Sequence, residues 1–250
     1  MKISIALATY NEAEFLDACL KSIADWAFEI VIVDGGSTDQ TIAIGQKYKA
    51  RMYHRDNPPI FHINKQFAID KCLGDWVLQL DADEVVSEDL RKEILEKVMD
   101  KEINGYWIPR KNFFLGRFLM KGGQYPDHTM RLYRRGKGRL PCKSVHEQAE
   151  VEGKTAFLNN ALLHFADKNF SRYLLRYNRY TNLIATELYE QKLPKNVFSA
   201  FDYMLVKPLW WFLKTYIRHK GFMDLWQGFV FSFFSALRFP IAFYKYVTQY

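Results

Sequence analysis

The first hundred residues alternate short apolar runs with segments in which apolar residues recur at helical spacing. This alternation is typical of successive βαβ units, so the sequence predicts an α/β fold built on a mostly parallel sheet. The predicted strands are residues 3–8, 30–33 and 76–80, with a weaker strand at 51–54. Residues 3–8 are too few for the apolar part of a signal peptide, and a buried strand explains them better.

Polar residues that precede the helical segments are expected to cap them. The predicted caps of the first, second and fourth helices are Asn11 with Glu14, Ser37 with Gln40, and Ser87. The third helix is expected from about Asn64 to Cys72. The fourth helix is expected to bury Leu90, Ile94, Leu95 and Val98. Two further strands are predicted at 106–110 and 129–134, and the chain is expected to be helical from about Phe170.

Asp81 and Asp83 follow the predicted strand 76–80 and are separated by one residue. In an extended chain such side chains point to the same side, with Cα atoms about 6–7 Å apart. Two carboxylates this close repel by about 3 kcal/mol at an effective dielectric constant near 20, and a shared divalent cation removes that repulsion. Oxygen ligands with open positions for phosphate favour Mg²⁺ or Mn²⁺. A solvated turn that caps the next helix is the alternative interpretation.

Asn11, Asp34 and the Asp81–Asp83 pair each follow a predicted strand. Ligands of open parallel sheets bind at the carboxyl ends of the strands, so these polar groups are expected to converge there. Two glycines follow Asp34 and permit a close approach of the backbone to a ligand. The Asp34 carboxylate is a candidate acceptor for a ribose hydroxyl or a base N–H, whereas an Asx turn that closes the strand is the alternative.

Three segments taken together identify a family resemblance. Residues 8–12 (ATYNE), 31–39 (VIVDGGSTD) and 80–84 (LDADE) resemble, in order and spacing, the three signatures of the family 2 glycosyltransferases. Residues 74–76 (GDW), which lead into the third segment, also fit. The resemblance covers about the first 110 residues. It implies a GT-A fold, in which a mostly parallel, nucleotide-binding sheet flanked by helices is joined to an acceptor-binding part.

Site roles follow from the resemblance, position by position. It implies that Thr9 and Glu12, together with Asn11, belong to the nucleotide-sugar site, and that Asp34 contacts the base or ribose. Asp81 and Asp83 are expected at the ribose and the metal-bound diphosphate. The resemblance also implies inversion at the anomeric carbon, which needs a general base and a stabilised leaving group. The metal meets the second need. Lys65 and Arg131 are candidates to help the metal stabilise the leaving group. The alternative is that each is a solvated charge at the surface.

Asp127 and Glu147 are the two candidate general bases, and the sequence does not decide between them. Their segments, residues 122–135 and 145–147, resemble those of bacterial lipopolysaccharide-core glycosyltransferases of the β-1,4-glucosyltransferase type. In many family 2 members the base lies some way after such a strand, which favours Glu147 by position. The Glu-Asp pair that is usual at that place is absent from residues 145–147.

His164 lies in the apolar segment 162–165, where a histidine is typical of a protein core. Several GT-A enzymes complete their metal site with a histidine from the late part of the domain. The resemblance therefore makes His164 a candidate metal ligand together with Asp83 and Asp81, with His146 as its competitor. Neither histidine belongs to an HExxH zinc motif.

The last hundred residues differ in composition from the rest. They hold 13 Lys and Arg against 6 Asp and Glu, and 25 of the 41 aromatic residues. Arg172, Arg176 and Arg179 share one helical face, and such mixtures of cationic and aromatic side chains favour a membrane interface. The longest apolar run, Leu225 to Leu237, is 13 residues, whereas a crossing helix needs about 20. A peripheral membrane platform is expected, and helices that cover the sheet or form an oligomer contact are the alternative.

The resulting hypothesis is an inverting, metal-dependent enzyme that moves a sugar from a nucleotide-sugar, with a UDP-sugar favoured, to a lipid-linked or lipopolysaccharide-core acceptor. Three cysteines without a CxxC pair fit a reducing cytosol. Together with the resemblance and the expected membrane platform, they make the cytoplasmic face of the inner membrane the expected location. Residues 1–168 are the expected catalytic domain and residues 169–250 the helical region. A polyprenyl-phosphate glycosyltransferase and a non-catalytic protein that binds nucleotide or lipid remain alternatives. Nucleic acid is not an expected partner, because no DNA- or RNA-binding motif occurs.

Overall fold

A computed structural model of the chain describes residues 1–143 and 147–250. The chain divides into two compact units. The first consists of Met1–Arg110 and Asp127–Phe165, and the second of Lys111–Pro126 and Ala166–Tyr250. The sequence-based division after residue 168 kept residues 111–126 with the catalytic part, whereas the compact units group them with the C-terminal segment. As a division of function, it stays a prediction.

Strands and helices alternate at the start of the chain, as the apolar pattern predicts. The elements are β1 (Ile3–Thr9), α1 (Ala13–Lys21), β2 (Glu29–Asp34), α2 (Thr41–Lys47), β3 (Arg51–His54), α3 (His62–Asp70), β4 (Trp76–Gln79), β5 (Glu84–Val86) and α4 (Glu88–Lys97). β1 pairs in parallel with β2 and with β4, and β2 pairs in parallel with β3. The predicted α/β fold with a parallel core is confirmed.

Later strands make the sheet mixed. They are β6 (Gly105–Phe114), β7 (Arg117–Leu119), β8 (Asp127–Arg134), β9 (Gly138–Arg139), β10 (Glu150–Val151), β11 (Thr155–Phe157) and β12 (Leu162–Asp167). The main sheet has the order β3-β2-β1-β4-β8-β6-β12-β5, and β8 runs antiparallel to both β4 and β6. Of these strands the sequence predicted β6 and β8. Four of the others are only two or three residues long, too short for a periodic pattern.

Both faces of the parallel sheet are buried. Ile5 and Leu7 of β1 pack with Leu16 of α1 in one apolar cluster, whereas the intervening Ala6 packs with Ala68 of α3 in another. Successive side chains of a strand point to opposite faces, so helices cover the sheet on both sides. Burial on both faces explains why these strands read as continuous apolar runs instead of alternating ones.

The cap of α1 differs from the prediction. Asn11 has a φ of 54° and lies outside the helix, and Glu12 holds the cap position without a side-chain hydrogen bond. The Oδ1 of Asn11 accepts instead from the backbone N–H of Thr38 at 2.8 Å. The backbone N–H of Glu12 donates to Oγ1 of Thr41 at 2.8 Å. The prediction of a local cap was wrong because Thr38 of the loop after β2 and Thr41 at the start of α2 supply these bonds.

The predictions for the other helices agree with the structure only in part. Ser37 and Gln40 provide no side-chain cap to α2, whereas Ser87 caps α4 as predicted by accepting from a backbone N–H three residues later. The third helix begins at His62 and ends at Asp70, two residues before the expected bounds at each end. Leu95, expected on the buried face of α4, is 40% exposed.

The second unit is mostly helical from Phe170 onward, as predicted. Its helices are α5 (Phe170–Glu190), α6 (Val197–Phe201), a π-helical segment (Asp202–Val206), α7 (Lys207–Phe212), a second π-helical segment (Leu213–Arg218), a 3-10 turn (Gly221–Asp224) and α8 (Leu225–Gln249). α8 packs against both α5 and α7. Within the described ranges, no helix combines the length and the apolar character needed to cross a bilayer.

Glu93 of α4 holds the turn that connects β11 and β12. Its carboxylate oxygens accept hydrogen bonds from the backbone N–H groups of Asn159 and Asn160 at 2.9 and 2.8 Å, and also from both side-chain amides. Only 8% of Glu93 is exposed. One buried side chain therefore serves four donors in this turn.

We expect Glu93→Ala to lower the free energy of unfolding by about 2–4 kcal/mol, because the donors of the turn lose a charged acceptor. Glu96→Ala, at an exposed position of the same helix, is the matched control and should change that free energy by less than about 0.5 kcal/mol. Urea unfolding followed by circular dichroism measures both variants. Equal effects of the two substitutions would contradict this role of Glu93.

Candidate active site

The loops after β1 and β2 are joined at the carboxyl edge of the sheet by Asp34. This buried residue accepts through Oδ2 from the backbone N–H groups of Gly36 and Ser37 at 3.0 and 2.8 Å. Its Oδ1 accepts from the hydroxyls of Ser37 and Thr9 at 2.6 and 3.2 Å. Gly36 has a φ of 85°, which only glycine adopts readily. The Asx turn is therefore present, and a contact of Asp34 or Thr9 with a nucleotide stays a prediction.

A cleft of about 680 Å³ lies at the same edge, a size typical of small-ligand sites. Its lining residues are His54, Arg55, Asp56, Pro58, Ile63 and Asn64. The Nδ1 of His54 is 4.0 Å from Oδ2 of Asp34. The cleft thus lies between the end of β3 and the start of α3, beside the joined loops. The sequence did not reveal it, because residues 54–64 carry no recognisable motif.

Asp81 is bound on both sides by buried cations. Its Oδ1 contacts Nζ of Lys65, and its Oδ2 accepts a hydrogen bond from Arg131 at 2.6 Å. Lys65 and Arg131 are each 7% exposed. Burial opposes the ionisation of Asp81, but the charges of Arg131 and Lys65 outweigh it and hold the pKa of Asp81 well below its ordinary value. Near neutral pH, Asp81 is therefore an anion compensated by the protein itself.

Glu84, the first residue of β5, extends this ion-pair network. The side chain is fully buried, and Oε1 accepts from Arg131 at 2.9 Å and lies 3.5 Å from Arg110. Burial alone would lower the pKa of Arg131, but Asp81 and Glu84 raise it above its ordinary value. The sequence analysis missed Glu84 and Arg110. The available signal for Glu84 was a charged residue directly after the Asp pair and directly before two apolar residues, Val85 and Val86.

Residues 81–84 form a turn and do not continue β4, which ends at Gln79. The backbone N–H of Glu84 donates to the carbonyl of Asp81 at 3.0 Å. In return, Oε2 of Glu84 accepts from the backbone N–H of Asp81 at 2.9 Å. The expectation that Asp81 and Asp83 share one face of an extended strand was therefore wrong, because these reciprocal bonds close a turn.

Asp83 lies next to His164. Oδ2 of Asp83 is 3.5 Å from Nε2 of His164, and the two side chains are 19% and 14% exposed. β12 runs antiparallel to β5 with His164 opposite Glu84, so the pairing of these strands brings the histidine to the Asp83 turn. Two neighbouring ligands at about 2.1 Å from an octahedral cation lie about 3 Å apart. The pair fits a divalent ion after a small adjustment.

The described part of the chain, residues 1–143 and 147–250, contains no group of three or more His, Cys, Asp or Glu side chains arranged to hold a metal. A site with two protein ligands suits an ion that takes further ligands from a phosphate-bearing substrate. Asp81 has both carboxylate oxygens against cations, whereas Asp83 adjoins His164. His146, the alternative histidine, lies outside the described residues.

Asp127 joins the ion-pair network through Arg110. Its Oδ2 accepts from Nε and Nη2 of Arg110 at 3.0 and 2.7 Å, and the pairing of β6 with β8 places these two residues opposite each other. Burial would lower the pKa of Arg110, but Glu84 and Asp127 raise it above its ordinary value. This candidate base is therefore engaged by a guanidinium group.

Glu147 lies beside the start of α3. Its carboxylate accepts the backbone N–H of Lys143 at 2.9 and 3.0 Å, and Oε2 is 3.9 Å from Nδ1 of the buried His62. Lys65, which contacts Asp81, follows three residues later on α3, about 4.5 Å further along the axis. α3 thus connects Glu147 with the ion-pair network. His62 was missed, because a single histidine near a helix start carries no signal in a sequence.

Comparison with known proteins shows similarity in sequence over nearly the whole chain. The model of glycosyl transferase family 2 matches residues 4–157. The lipopolysaccharide core biosynthesis glycosyltransferase LpsC of Rhizobium meliloti is 30% identical over 258 residues, which cover 95% of this chain and 92% of LpsC. An uncharacterized glycosyltransferase of Rickettsia conorii is 27% identical, with 94% of this chain and 86% of that protein covered.

Solved structures show the same fold. A mannosyltransferase from Pyrobaculum calidifontis, in complex with GDP-Man and Mn²⁺, aligns with a TM-score of 0.56 at 13% identity, covering 99% of this chain and 87% of that chain. TarS from S. aureus, in complex with UDP-GlcNAc, aligns with a TM-score of 0.52 at 18% identity, covering 95% and 80%. The predicted GT-A fold is confirmed. Since the family model spans more than half of the residues, the chain belongs to glycosyl transferase family 2.

Proposed function

We propose that this family 2 glycosyltransferase is inverting and metal-dependent, and that it transfers a sugar from a UDP-sugar to a lipid-linked or lipopolysaccharide-core acceptor. The observation that carries the proposal is the Asp83–His164 pair beside an Asp81 already compensated by two cations. The likeness to LpsC over nearly the whole chain supports the acceptor class. The complexes of TarS and the mannosyltransferase support a nucleotide-sugar donor and a divalent metal.

The ion-pair network supports the position proposed for the cation. Among the described residues, its ion pairs join Lys65, Arg110 and Arg131 to Asp81, Glu84 and Asp127. Asp83 and His164 adjoin this network and supply a carboxylate oxygen and an imidazole nitrogen. A divalent ion held by Asp83 and His164 would supply charge stabilisation for the departing diphosphate. Asp81 holds Arg131 and Lys65 in fixed positions at that edge.

The donor nucleoside is assigned to the cleft between β3 and α3. His54 lines this cleft and lies 4.0 Å from Asp34, whose carboxylate also fixes the Gly36–Ser37 turn. Asn11 and Glu12 belong to the adjoining loop, which hydrogen bonds tie to Thr38 and Thr41. Loops held in this way present backbone and side-chain polar groups at the edge where ligands of such sheets bind.

Glu147 is the proposed general base. Asp127 already accepts two hydrogen bonds from Arg110, so it is assigned to the support of the network. Glu147 lies 3.9 Å from His62, one helical turn from the lysine that contacts Asp81. An acceptor hydroxyl bound between Glu147 and the donor would lose its proton to this carboxylate as it attacks the anomeric carbon.

The enzyme is further proposed to work as a peripheral protein at the cytoplasmic face of the inner membrane, where a lipid-linked acceptor would be presented. Cys19, Cys72 and Cys142 are free thiols, which supports a reducing compartment. The exposed apolar and cationic side chains of the second unit support contact with a membrane surface.

We expect Asp83→Asn to lower kcat/KM at least about 100-fold, or about 2.7 kcal/mol, because the metal loses its charged ligand. His164→Ala should weaken Mn²⁺ binding at least about tenfold. Calorimetry with UDP in the presence and absence of Mn²⁺, together with initial rates, measures both effects. Asp89→Asn, at an exposed position in the first turn of α4, is the control. Full activity of Asp83→Asn in the presence of a chelator would exclude this metal site.

We expect Glu147→Gln to lower kcat at least about 100-fold while the dissociation constant of UDP stays unchanged, because only proton transfer is lost. Asp127→Asn should lower kcat less than about tenfold, since its role is to support Arg110. Steady-state kinetics and UDP titrations separate the two effects. The opposite ranking would assign the base to Asp127. No effect of either variant would favour a polyprenyl-phosphate acceptor, whose phosphate needs no strong base.

A further inference from the structure

Every fourth residue from Val197 to Ile217 is an exposed apolar side chain. The six residues are Val197, Phe201, Leu205, Leu209, Leu213 and Ile217, with exposed fractions between 48% and 81%. In a regular α-helix of 3.6 residues per turn, residues four apart drift around the axis. The two π-helical segments on either side of α7 have wider turns, which keep this row on one side. The row therefore forms one apolar edge about 25–30 Å long.

The apolar edge continues onto the start of α8. The ring of Tyr216 lies with its centroid 6.2 Å from that of Phe222 and 5.7 Å from that of Phe229. Phe222, Trp226 and Phe229 are 49%, 58% and 45% exposed. A contiguous exposed apolar surface of this extent is unusual for a soluble monomer and marks an interaction site.

Charges beside the apolar edge are mostly positive. Residues 192–250 contain eight Lys and Arg but only two acidic residues, Asp202 and Asp224. Asp202 lies 3.0 Å from Lys207, and Asp224 is buried, where it accepts from two backbone N–H groups. The ammonium group of Lys214 lies 4.8 Å from the ring centroids of Trp210 and Trp211. Indole rings beside ammonium groups are typical of the boundary between lipid headgroups and acyl chains.

We propose that the segment Val197–Arg218, with the start of α8, lies in the plane of an anionic phospholipid leaflet and inserts its apolar edge between the headgroups. A second copy of this chain is a poorer occupant, because two cationic edges would repel each other. The inference rests on the proposed function for the presence of a membrane. It restricts the proposed membrane contact, which the sequence placed anywhere after about residue 170, to the apolar edge.

Two of the three arginines of α5 that the sequence suggested as part of the membrane platform form contacts within the second unit. Arg176 forms an ion pair with Asp167, and Nε of Arg172 donates to the carbonyl of Ala166 at 3.1 Å. These contacts hold the start of α5. The cations assigned to lipid headgroups are therefore Lys214, Arg218 and Lys220, of which the last two are exposed at the end of the second π-helical segment.

Co-sedimentation of the full chain with vesicles tests the proposal. One set of vesicles is phosphatidylcholine, and the other is an equimolar mixture of phosphatidylcholine and phosphatidylglycerol. The triple variant Leu205→Gln, Leu209→Gln, Leu213→Gln should lower the partition coefficient on anionic vesicles at least about tenfold. The double variant Leu95→Gln, Met99→Gln, at exposed apolar positions of the first unit, is the control and should bind like the wild type.

A charge variant tests the lipid class and does not depend on the apolar substitutions. Lys214→Gln with Arg218→Gln should weaken binding to the anionic vesicles roughly fivefold per charge and leave binding to phosphatidylcholine unchanged. Unchanged binding of the triple variant would overturn the proposal. A wild-type dimer that the triple variant converts to a monomer, seen by light scattering without vesicle binding, would overturn it in favour of self-association.

Metal-dependent binding of UDP separates this inference from the proposed function. The triple variant should bind UDP with Mn²⁺ as the wild type does, because the substituted residues lie outside the candidate active site. If the wild type binds UDP but does not bind vesicles, the membrane inference alone is overturned. Absence of UDP binding in the wild type, with vesicle binding intact, would contradict the proposed function and leave the lipid contact standing.

Discussion

The contact of Asp81 with Arg131 and Lys65 is the interaction on which the candidate site depends. It joins the turn after β4 to β8 and to α3. Glu84 contacts both Arg131 and Arg110 and so extends the network to Arg110. Removing one partner of a buried ion pair costs about 3–5 kcal/mol, because the other charge is left uncompensated. The network therefore holds several elements at the carboxyl edge of the sheet in one arrangement. The neighbouring Asp83, which lies beside His164, is the position proposed for an added cation.

Strand pairing, and not local sequence, brings together the two residues of the proposed metal site. β5 and β12 are distant in the chain, but their antiparallel register sets His164 opposite Glu84 and its Nε2 3.5 Å from Asp83. The same edge holds the Asp34 turn and the cleft beside His54. A divalent ion, a nucleoside and an acceptor would then meet at one edge of a rigid sheet, which is where ligands of open α/β sheets bind.

The βαβ core and the three motif segments could be predicted from the sequence, because each motif directly follows an apolar run that is buried on both faces. The conformation of the three motif segments could not be predicted from the sequence. Asn11 does not cap α1 because Thr38, in another loop, binds its side chain, and the Asp81–Asp83 pair forms a turn because Glu84 bonds back to Asp81. His164 was predicted from the family resemblance alone, since no local pattern encodes a register between distant strands. The apolar edge beginning at Val197 was hidden because a long row of residues four apart drifts around a regular α-helix, and the sequence carries no signal for the π-helical segments that keep it on one side.

The position of Mn²⁺ in a crystal of this protein grown with UDP and Mn²⁺ tests the central assignment most directly. Anomalous scattering locates the ion independently of the protein density. We expect one site within about 2.0–2.4 Å of Oδ2 of Asp83 and Nε2 of His164, with Asp81 still bound to Arg131 and Lys65. An ion bound to Asp81 with those two cations displaced, or one distant from Asp83, would contradict the assignment.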